Sequence, residues 1–431
     1  MVHDRTRRPS RSLLSAVIVV ALVAASAPAG ARVYTIGECV ETALANSVTL
    51  AKAGEGVASA GASLMSSWSS LLPKVSASLT ASDHLTVSDG AESSTDGKSG
   101  SIGLSQTVFD GSAVASLLGS YDSRDGARLS YEATRREVIF GAKKGYYDLL
   151  KAERLRDVQT EALDLAREQL RKTESLFNLG AASKSDLLKA QVQVGQAELT
   201  LITAEKSAAT ARASLCFALG IAVSTDLEVE DPAEGAGEVE ILEYDVEQSI
   251  SQRPDIRAGA EALSAARRSL LAAHARRLPD VSLSVSYGRS EDSLGDLFED
   301  ASDNHTRSTS LSMSIPIFAG LSTKAAIDAA RSNVRTSELS LREARLSAAL
   351  EIETARLTSV EQKRRVTVAE QAVAQAEEDL KVSEERFRLR AASMLELIDA
   401  RVAYSKARAD LVQARYDYEV AKAELTLALG R

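Results

Sequence analysis

Hydrophobic residues recur every seven positions along four long stretches of the chain. Before residue 180 they are Leu163, Leu170 and Phe177, with the smaller Ala166 and Thr173 three positions after the first two. The other three stretches repeat this spacing at Val366, Val373, Leu380 and Phe387; at Leu187, Val194 and Leu201; and at Leu397, Tyr404 and Leu411. Alternating large and small layers at heptad spacing predict helices packed as coiled coils.

A single corner interrupts the first pair of these stretches, in the sequence "NLGAASKSDLLKAQ" (178–191). Its one helix breaker is Gly180, and Ser183 with Asp186 forms a Ser-x-x-acid signal for the start of the next helix. The pattern predicts a helix of about 70 residues and about 100 Å from Gly111 to the corner, which then folds back on itself.

Four other stretches alternate strictly between apolar and small polar residues. They predict strands over 73–87, 98–109, 279–290 and 306–318, joined in pairs by the polar loops "SDGAESSTDGKSG" and "RSEDSLGDLFEDASDNHTR". A hairpin lying on a globular core would also alternate. The polar face here is almost entirely Ser, Thr and Gly, which favours the wall of a membrane β-barrel. Four strands cannot close a barrel, and open edges are not tolerated in lipid, so several chains would share one barrel.

The chain carries this organisation twice. "LLPKVSASLTAS" from residue 71 returns as "RLPDVSLSVSYG" from residue 277, and "LCFALG" ending at Gly220 returns as "LTLALG" ending at Gly430. Each copy begins with one predicted helical segment, at 36–71 and at 244–277. The predicted domains are therefore a first repeat over 30–223, an acidic linker over 224–240 and a second repeat over 241–431.

Residues 1–29 have the pattern of a signal peptide: a basic "MVHDRTRRPSRS", an apolar run and small residues near Ala29. A membrane anchor is the alternative, but the run is short for a span. No later stretch approaches 18 apolar residues. Export without a spanning helix leaves a secreted protein, a periplasmic protein or a membrane β-barrel.

Composition and chemistry narrow the function further. The formal net charge of -9 gives no support to nucleic-acid binding, and aromatic residues are only 4% of the chain. The four histidines lack metal-site spacing, and no nucleophile or phosphate-loop motif is found, so the sequence predicts no enzyme, cofactor or metal. Cys39 and Cys216 are expected to be buried as small apolar residues, with a lone disulfide as the alternative.

These features together resemble one family, the TolC-like outer-membrane efflux proteins. The resemblance rests on the opening "YTIGECVETALANSVTL", the "LLP" and "RLP" helix-to-strand junctions, the "VFDG" and "IFAG" strand-to-helix junctions and the "LGAASKSDLLKAQ" corner. It implies a mainly α fold with a small β part. Three copies would form a homotrimer, each giving four strands to one twelve-stranded outer-membrane barrel and its long helices to a periplasmic tunnel.

The resemblance also implies a function and partners. The protein would passively conduct substrates of an efflux or type I secretion system across the periplasm and the outer membrane. A periplasmic adaptor protein and an inner-membrane pump would be its partners. A secreted or periplasmic coiled-coil adaptor or structural protein is the alternative, but it would not explain the serine-faced strands.

Carried onto this chain, the family pattern places functional residues at the two hairpin corners. The adaptor-contact tip comprises Leu179, Gly180, Leu389 and Arg390, and the aperture comprises Asp186, Glu396 and Asp399. Arg390 stands where the family usually has glycine. Arg390 or Arg401 is expected to offset the charge of the aperture carboxylates.

Overall fold

The computed structural model describes residues 33–88, 91–223, 227–231, 245–291 and 305–431. The predicted signal peptide, residues 1–29, lies outside the described residues. So do 224–226 and 232–240 of the predicted acidic linker.

The same order of elements occurs in both halves of the chain: two helices, two strands and two long helices. The helices are α1 Ile36–Asn46, α2 Val48–Ser69, α3 Gly111–Asn178, α4 Lys184–Leu219, α5 Val246–Gln252, α6 Pro254–Ala275, α7 Ser322–Arg388 and α8 Met394–Ala428. The strands are β1 Val33–Tyr34, β2 Lys74–Ser88, β3 Ala91–Phe109, β4 Glu228–Val229, β5 Asp280–Glu291 and β6 His305–Ser314.

The helical segments predicted at 36–71 and at 244–277 each consist of two helices separated by a break. The first break falls at Ser47, whose hydroxyl accepts a hydrogen bond from the backbone N–H of Leu50 and so starts α2. The second falls at Arg253, because Pro254 disfavours helical backbone in the preceding residue and occupies the first position of α6.

The predicted long hairpins are present. α3 has 68 residues and α7 has 67, and each turns back into an α4 or α8 of about half that length. Positions predicted from the heptads, such as Leu163, Ala190, Leu397 and Ala400, are buried. The alternation of large and small layers therefore does pack the helices together, as coiled-coil reasoning predicts.

The helices lie side by side in a thin layer. Along the part of the layer nearer the corners, α3 packs between α4 and α8, and α7 packs on the far side of α8. Along the part nearer the strands, α3 packs between α2 and α6, and α7 packs on α6. α7 is thus an edge of the layer along its whole length, while α4 and α2 form the opposite edge. Among the residues that the structure describes, no helix combines the length and the apolar character that a membrane crossing requires.

The largest hydrophobic core lies where the corner-side part of this layer meets the strand-side part. Cys39, Tyr146, Leu149, Leu215 and Cys216 are buried there together. The short strands β1 and β4 pair in parallel beside this cluster, and the sequence gives no signal for them.

The four long strands form one antiparallel sheet in the order β2-β3-β5-β6. The register keeps the apolar face continuous, since Val75 is opposite Leu104, Leu104 is opposite Val285, and Leu283 is opposite Leu311. The strand prediction is therefore confirmed in number and in face.

Two strand boundaries differ from the prediction by more than one residue. β6 ends at Ser314, so the predicted end at residue 318 is wrong; Pro316 has no N–H to donate to a ladder. β3 begins at Ala91, where a polar loop was predicted, and its pairing with β2 continues to Ser88 opposite Ala91. Backbone hydrogen bonds between strands form with polar residues as readily as with apolar ones. A pattern of alternating apolar residues therefore does not show where a polar strand begins.

Candidate functional site

The first hairpin corner is a Schellman turn built on Gly180. Gly180 has φ of +71°, its N–H donates to the carbonyl of Phe177 at 2.9 Å, and the N–H of Ala181 donates to the carbonyl of Leu176 at 2.7 Å. Such a turn gives hydrogen-bond donors to the last carbonyl groups of a helix, and it needs a residue in the left-handed backbone conformation at this position. The sequence prediction of a corner at Gly180 follows from this chemistry.

The second corner has the same backbone geometry with arginine in the glycine position. Arg390 has φ of +60°, its N–H donates to Phe387 at 3.0 Å, and the N–H of Ala391 donates to Arg386 at 2.7 Å. A left-handed backbone costs a residue with a Cβ about 1 kcal/mol relative to glycine. The two corners are therefore equivalent in backbone, although the second is strained.

An additional side chain braces the strained corner. The guanidinium of Arg386 donates to the carbonyl of Ala391 at 3.3 Å and lies 3.6 Å from a carboxylate oxygen of Glu396. With the repeat offset of 210 residues, the counterpart of Arg386 in the first half is Leu176, which offers no such brace.

The predicted adaptor-contact residues project from the corners. Leu179 is 80% exposed and Leu389 is 70% exposed. The side chain of Arg390 is exposed and makes no hydrogen bond or ion pair within the described part of the chain. Each corner thus presents one leucine to solvent, beside a glycine in one case and a free cation in the other.

The predicted aperture residues have three different environments. Asp186 closes a capping box, since its carboxylate accepts from the hydroxyl of Ser183 at 2.7 Å while its own N–H donates back to that hydroxyl at 3.1 Å. Glu396 faces Arg386. Asp399 is exposed and has no hydrogen bond or ion pair to any described residue.

The expectation that Arg390 or Arg401 offsets these carboxylates is wrong. Arg401 instead donates to Glu384 at 2.9 Å and to the backbone carbonyl of Leu165 at 3.3 Å. Glu384 lies on α7 of the same hairpin and Leu165 on α3 of the other. The cation that does meet an aperture carboxylate is Arg386, four residues before Arg390.

The ion pairs between the two hairpins were not predicted. The ammonium of Lys151 on α3 is 2.9 Å from Asp148 on the same helix and 2.9 Å from Asp417 on α8. Arg408 on α8 pairs with Glu161 on α3. The partners are more than 200 residues apart in the chain, so only the fold brings them together.

This cluster shifts the titration of its members. Burial by itself raises the pKa of Asp148, but the hydrogen bonds and charges of Lys151 and Lys144 outweigh it and hold that pKa below its usual range. For Lys151 burial acts downward, and the hydrogen bonds to Asp148 and Asp417 raise its pKa overall. Both groups therefore stay charged over the physiological range.

The sheet has two chemically distinct faces. On one face hydroxyl groups pair across strands, between Ser78 and Ser101 at 2.8 Å and between Ser284 and Ser310 at 2.7 Å. On the other face Val75, Ile102 and Leu311 are exposed. An apolar face without protein cover, opposite a face of small paired hydroxyls, is the arrangement of a strand between lipid and a wet interior.

The comparison with known proteins decides the family. The family model for the outer membrane efflux protein matches residues 39–221 and 246–431 of this chain. The chain belongs to the outer membrane efflux protein family. The resemblance proposed from the sequence and the outer-membrane localisation that it implies are confirmed by this match, whose two segments correspond to the two halves of the element order.

Individual relatives agree with this assignment. This chain is 26% identical over 249 residues to Protein CyaE of Bordetella pertussis, and this alignment covers 57% of the chain but only 52% of CyaE, about half of that relative's length. It is 26% identical over 404 residues to the pyoverdine export outer membrane protein OpmQ of Pseudomonas aeruginosa, over 90% of the chain and 84% of OpmQ.

A solved structure shows the same fold. The Campylobacter jejuni CmeC outer membrane channel superposes with a TM-score of 0.83, at 20% identity, over 92% of this chain and 85% of CmeC. The mainly α fold with a small β part, predicted from the sequence, is confirmed by this likeness.

Two further predictions concern the cysteines and possible metal ligands. Cys39 and Cys216 are free thiols, and both are buried, as predicted. Burial, reinforced by the charge of Glu38, raises the pKa of Cys39 to about 11, so its thiolate is scarce. Within the described ranges no group of three or more His, Cys, Asp or Glu side chains is placed to hold a metal ion.

Proposed function

We propose that this chain is one of three identical subunits of an outer-membrane channel that passively conducts substrates of an efflux or secretion system. The observation that carries the proposal is the open sheet: four strands with an uncovered apolar face and unpaired edges at β2 and β6. Such edges are stable in lipid only if further strands pair with them until a barrel closes. Three copies supply twelve strands, which lies within the range of known outer-membrane barrels.

The edges of the helical layer support the same ring. Leu188 on α4 is 51% exposed, and Val382 on α7 is 49% exposed. Both lie eight residues from their corners, at Gly180 and Arg390, so they are at equal heights on opposite edges of the layer. Ile202 and Val368, both exposed and both 22 residues from the same corners, repeat this arrangement. A head-to-tail contact of α4 with α7 of the next copy would cover both stripes and close a ring.

The corners and the aperture take their roles from this arrangement. The exposed Leu179 with Gly180, and Leu389 with Arg390, would meet the hairpin tip of a periplasmic adaptor that connects to an inner-membrane pump. Three copies of Asp186, Glu396 and Asp399 would surround the periplasmic mouth. In this proposal residues 1–29 direct export and are removed, the two repeats over 30–223 and 241–431 flank the acidic linker, and the chain performs no catalysis.

A cross-linking experiment tests the ring. In a chain carrying Cys39→Ala and Cys216→Ala, oxidation of Leu188→Cys with Val382→Cys should give covalent dimers and trimers and no larger species. The control pair Leu188→Cys with Val368→Cys differs in height by about 20 Å, for 14 residues of helix, and should not cross-link. A ladder that continues beyond three chains, or equal cross-linking of both pairs, contradicts the trimer.

A further inference from the structure

Two arginines lie on the apolar face of the sheet, at the end remote from the helices. Arg307 of β6 is opposite Tyr287 of β5. Closer to the helices on the same pair of strands, Leu311 is opposite Leu283. Every second residue of a strand points to one face, so Arg307 and Arg289 share the face of these two leucines.

The two arginines are close together and only one of them is engaged. Arg289 is opposite His305, so Arg289 and Arg307 are diagonal neighbours, whose Cβ atoms are typically about 7 Å apart. The side chain of Arg307 is exposed and makes no hydrogen bond or ion pair with any described residue, whereas Arg289 already has an interaction of its own. Two like charges at this separation repel each other, and an anion bound between them would offset that repulsion.

The acidic positions of this face lie further from the helices than the arginines do. In the register Glu291 is one row beyond Arg289, opposite Lys98. Asp83 and Asp96 are opposite each other one row further out. On β5 the arginine row therefore lies between the apolar rows and the first acid, so a ligand that approaches along the apolar face reaches the arginines before any acid.

The spacing along β6 matches one leaflet of a bilayer. Leu311 and Met313 are exposed on this face, and Met313 lies six residues from Arg307. Six residues of strand span about 20 Å, and at the usual tilt of about 40° they span about 15 Å of depth, half of a hydrocarbon core of about 30 Å. Tyr287, which is 47% exposed in the row of Arg307, is of the type that forms aromatic girdles at membrane interfaces.

We propose that Arg307 and Arg289 bind the phosphate group of an anionic lipid of the outer leaflet. The acyl chains of this lipid would lie along Leu311 and Met313. Guanidinium groups bind phosphate oxygens through charge-assisted hydrogen bonds. Arg307 is the principal contact because its side chain is free, and Arg289 adds a second positive charge. The inference rests on the proposed function, since this face meets lipid only as the wall of an outer-membrane barrel.

Quenching of a single tryptophan by brominated lipids tests the site. In a chain carrying Trp68→Phe, which removes the one native tryptophan, Leu311→Trp places a reporter about 13 Å along the strand from Arg307, beside the middle of the acyl chains. The trimer is reconstituted in phosphatidylcholine vesicles that contain the same fraction of either brominated phosphatidic acid or brominated phosphatidylcholine. Phosphatidic acid should show a relative affinity at least about fivefold higher, the effect of one basic residue near an anionic lipid.

Charge variants locate the binding. Arg307→Gln should reduce the preference for phosphatidic acid to less than about twofold, and Arg289→Gln should reduce it partly. Lys74→Gln is the control, since it removes one positive charge from the exposed start of β2 at the opposite end of the sheet and should retain the preference. Equal quenching by the two lipids, or a preference that Arg307→Gln retains, overturns the site. If Arg307→Gln gives no heat-labile trimer, Arg289→Gln decides, and an unchanged preference in that variant overturns the site.

A second reporter separates this site from the barrel itself. Ser310→Trp lies on the hydroxyl face, where Ser310 pairs with Ser284, and neither lipid should quench it. Quenching of Leu311→Trp alone, but equally by both lipids, overturns the lipid site and leaves the barrel wall intact. Quenching of Ser310→Trp as strongly as Leu311→Trp would show that the sheet is not a barrel wall, and both proposals would then fail.

Discussion

At the scale of single residues, two glycines share a backbone conformation but differ in their surroundings. Gly180 has φ of +71° and nothing within 4 Å of a built Cβ, whereas at Gly220, with φ of +68°, a Cβ would lie 2.6 Å from the backbone oxygen of Asn46. Gly180→Ala should lower the free energy of unfolding by about 1 kcal/mol from backbone strain alone. Gly220→Ala should lower the free energy of unfolding by about 1–3 kcal/mol more than Gly180→Ala does, because the neighbouring backbone must also move.

Thermal unfolding of the three proteins, followed by circular dichroism, measures this difference. Gly141→Ala is the control, since Gly141 lies inside α3 with ordinary φ and open space around it, and alanine there should stabilise the helix slightly. Equal melting temperatures for Gly180→Ala and Gly220→Ala would show that the contact with Asn46 has no energetic role.

The two corners also show what single residues reveal in sequence. Gly180 predicts its own corner, because glycine is the residue that tolerates the left-handed turn. Arg390 gives no such signal, and only the internal repeat places it opposite Gly180. The pairing of Asp186 with Ser183 follows the Ser-x-x-acid pattern and was predictable. The brace from Arg386 depends on a side-chain direction that a sequence does not specify, so it could not be predicted.

At the scale of elements, the two faces of β5 should respond differently to charge. Leu283 lies on the apolar face and Ser284 on the hydroxyl face. Leu283→Arg should cost about 2–4 kcal/mol if the site is near the bilayer midplane, whereas Ser284→Arg should cost much less because its side chain reaches a wet interior. Yield of heat-labile trimer from outer membranes measures this, and equal yields for the two variants would show that the face assignment is wrong.

The carboxylate of Asp148, which pairs with Lys144 and Lys151 on the same helix, should contribute stability that depends on pH. Because the folded-state pKa of Asp148 is lowered, its contribution is present above its unfolded pKa of about 3.9 and is lost as pH falls through the lower folded value. Asp148→Asn should therefore destabilise the protein by about 1 kcal/mol at neutral pH and by almost nothing near pH 2.

Chemical unfolding at the two pH values checks this prediction. Asp157→Asn serves as the control, since Asp157 pairs with Arg156 on the exposed surface and should change stability by less than about 0.5 kcal/mol. A destabilisation by Asp148→Asn that is the same at both pH values would mean that the carboxylate acts through packing and not through its charge.

Elements with a strong period were predictable, and elements defined by contacts were not. The heptads of α3 and α7 and the alternation in β5 are local properties of the sequence. The β1–β4 pair joins residues 33–34 to 228–229, and its four residues carry no period. The end of β6 was misplaced because the alternation continues through Ile317 although the ladder cannot pass Pro316.

At the scale of the whole molecule, the repeats produce a layer whose two edges complement each other. α7 forms one edge throughout, and its exposed Val382 and Val368 lie at the same heights as the exposed Leu188 and Ile202 of α4. The internal duplication was readable from matched segments such as "LCFALG" and "LTLALG". The pairing of edges was not, because it requires the order in which the helices pack. The proposed ring would then repeat every feature of a corner three times around one axis.

That repetition leads to a prediction about conduction. Glu396 and Asp399 lie in and just after the first turn of α8, and three copies would concentrate six carboxylates at the periplasmic mouth of the proposed trimer. Confined carboxylates raise the local concentration of cations. Glu396→Ala with Asp399→Ala should therefore raise conductance in the closed state and reduce the preference for cations over anions, and it would also release Arg386 as a free positive charge.

Planar-bilayer recordings of single trimers at low and high salt measure both quantities. The matched control is Glu378→Ala with Asp379→Ala, which removes the same charge from α7 about 16 Å before the corner, for 11 residues of helix. The effect of the aperture variant should fade at high salt, where the Debye length shortens to about 3 Å at 1 M. If the aperture variant and the control both conduct like the unmodified protein, these carboxylates face open water and do not form a gate.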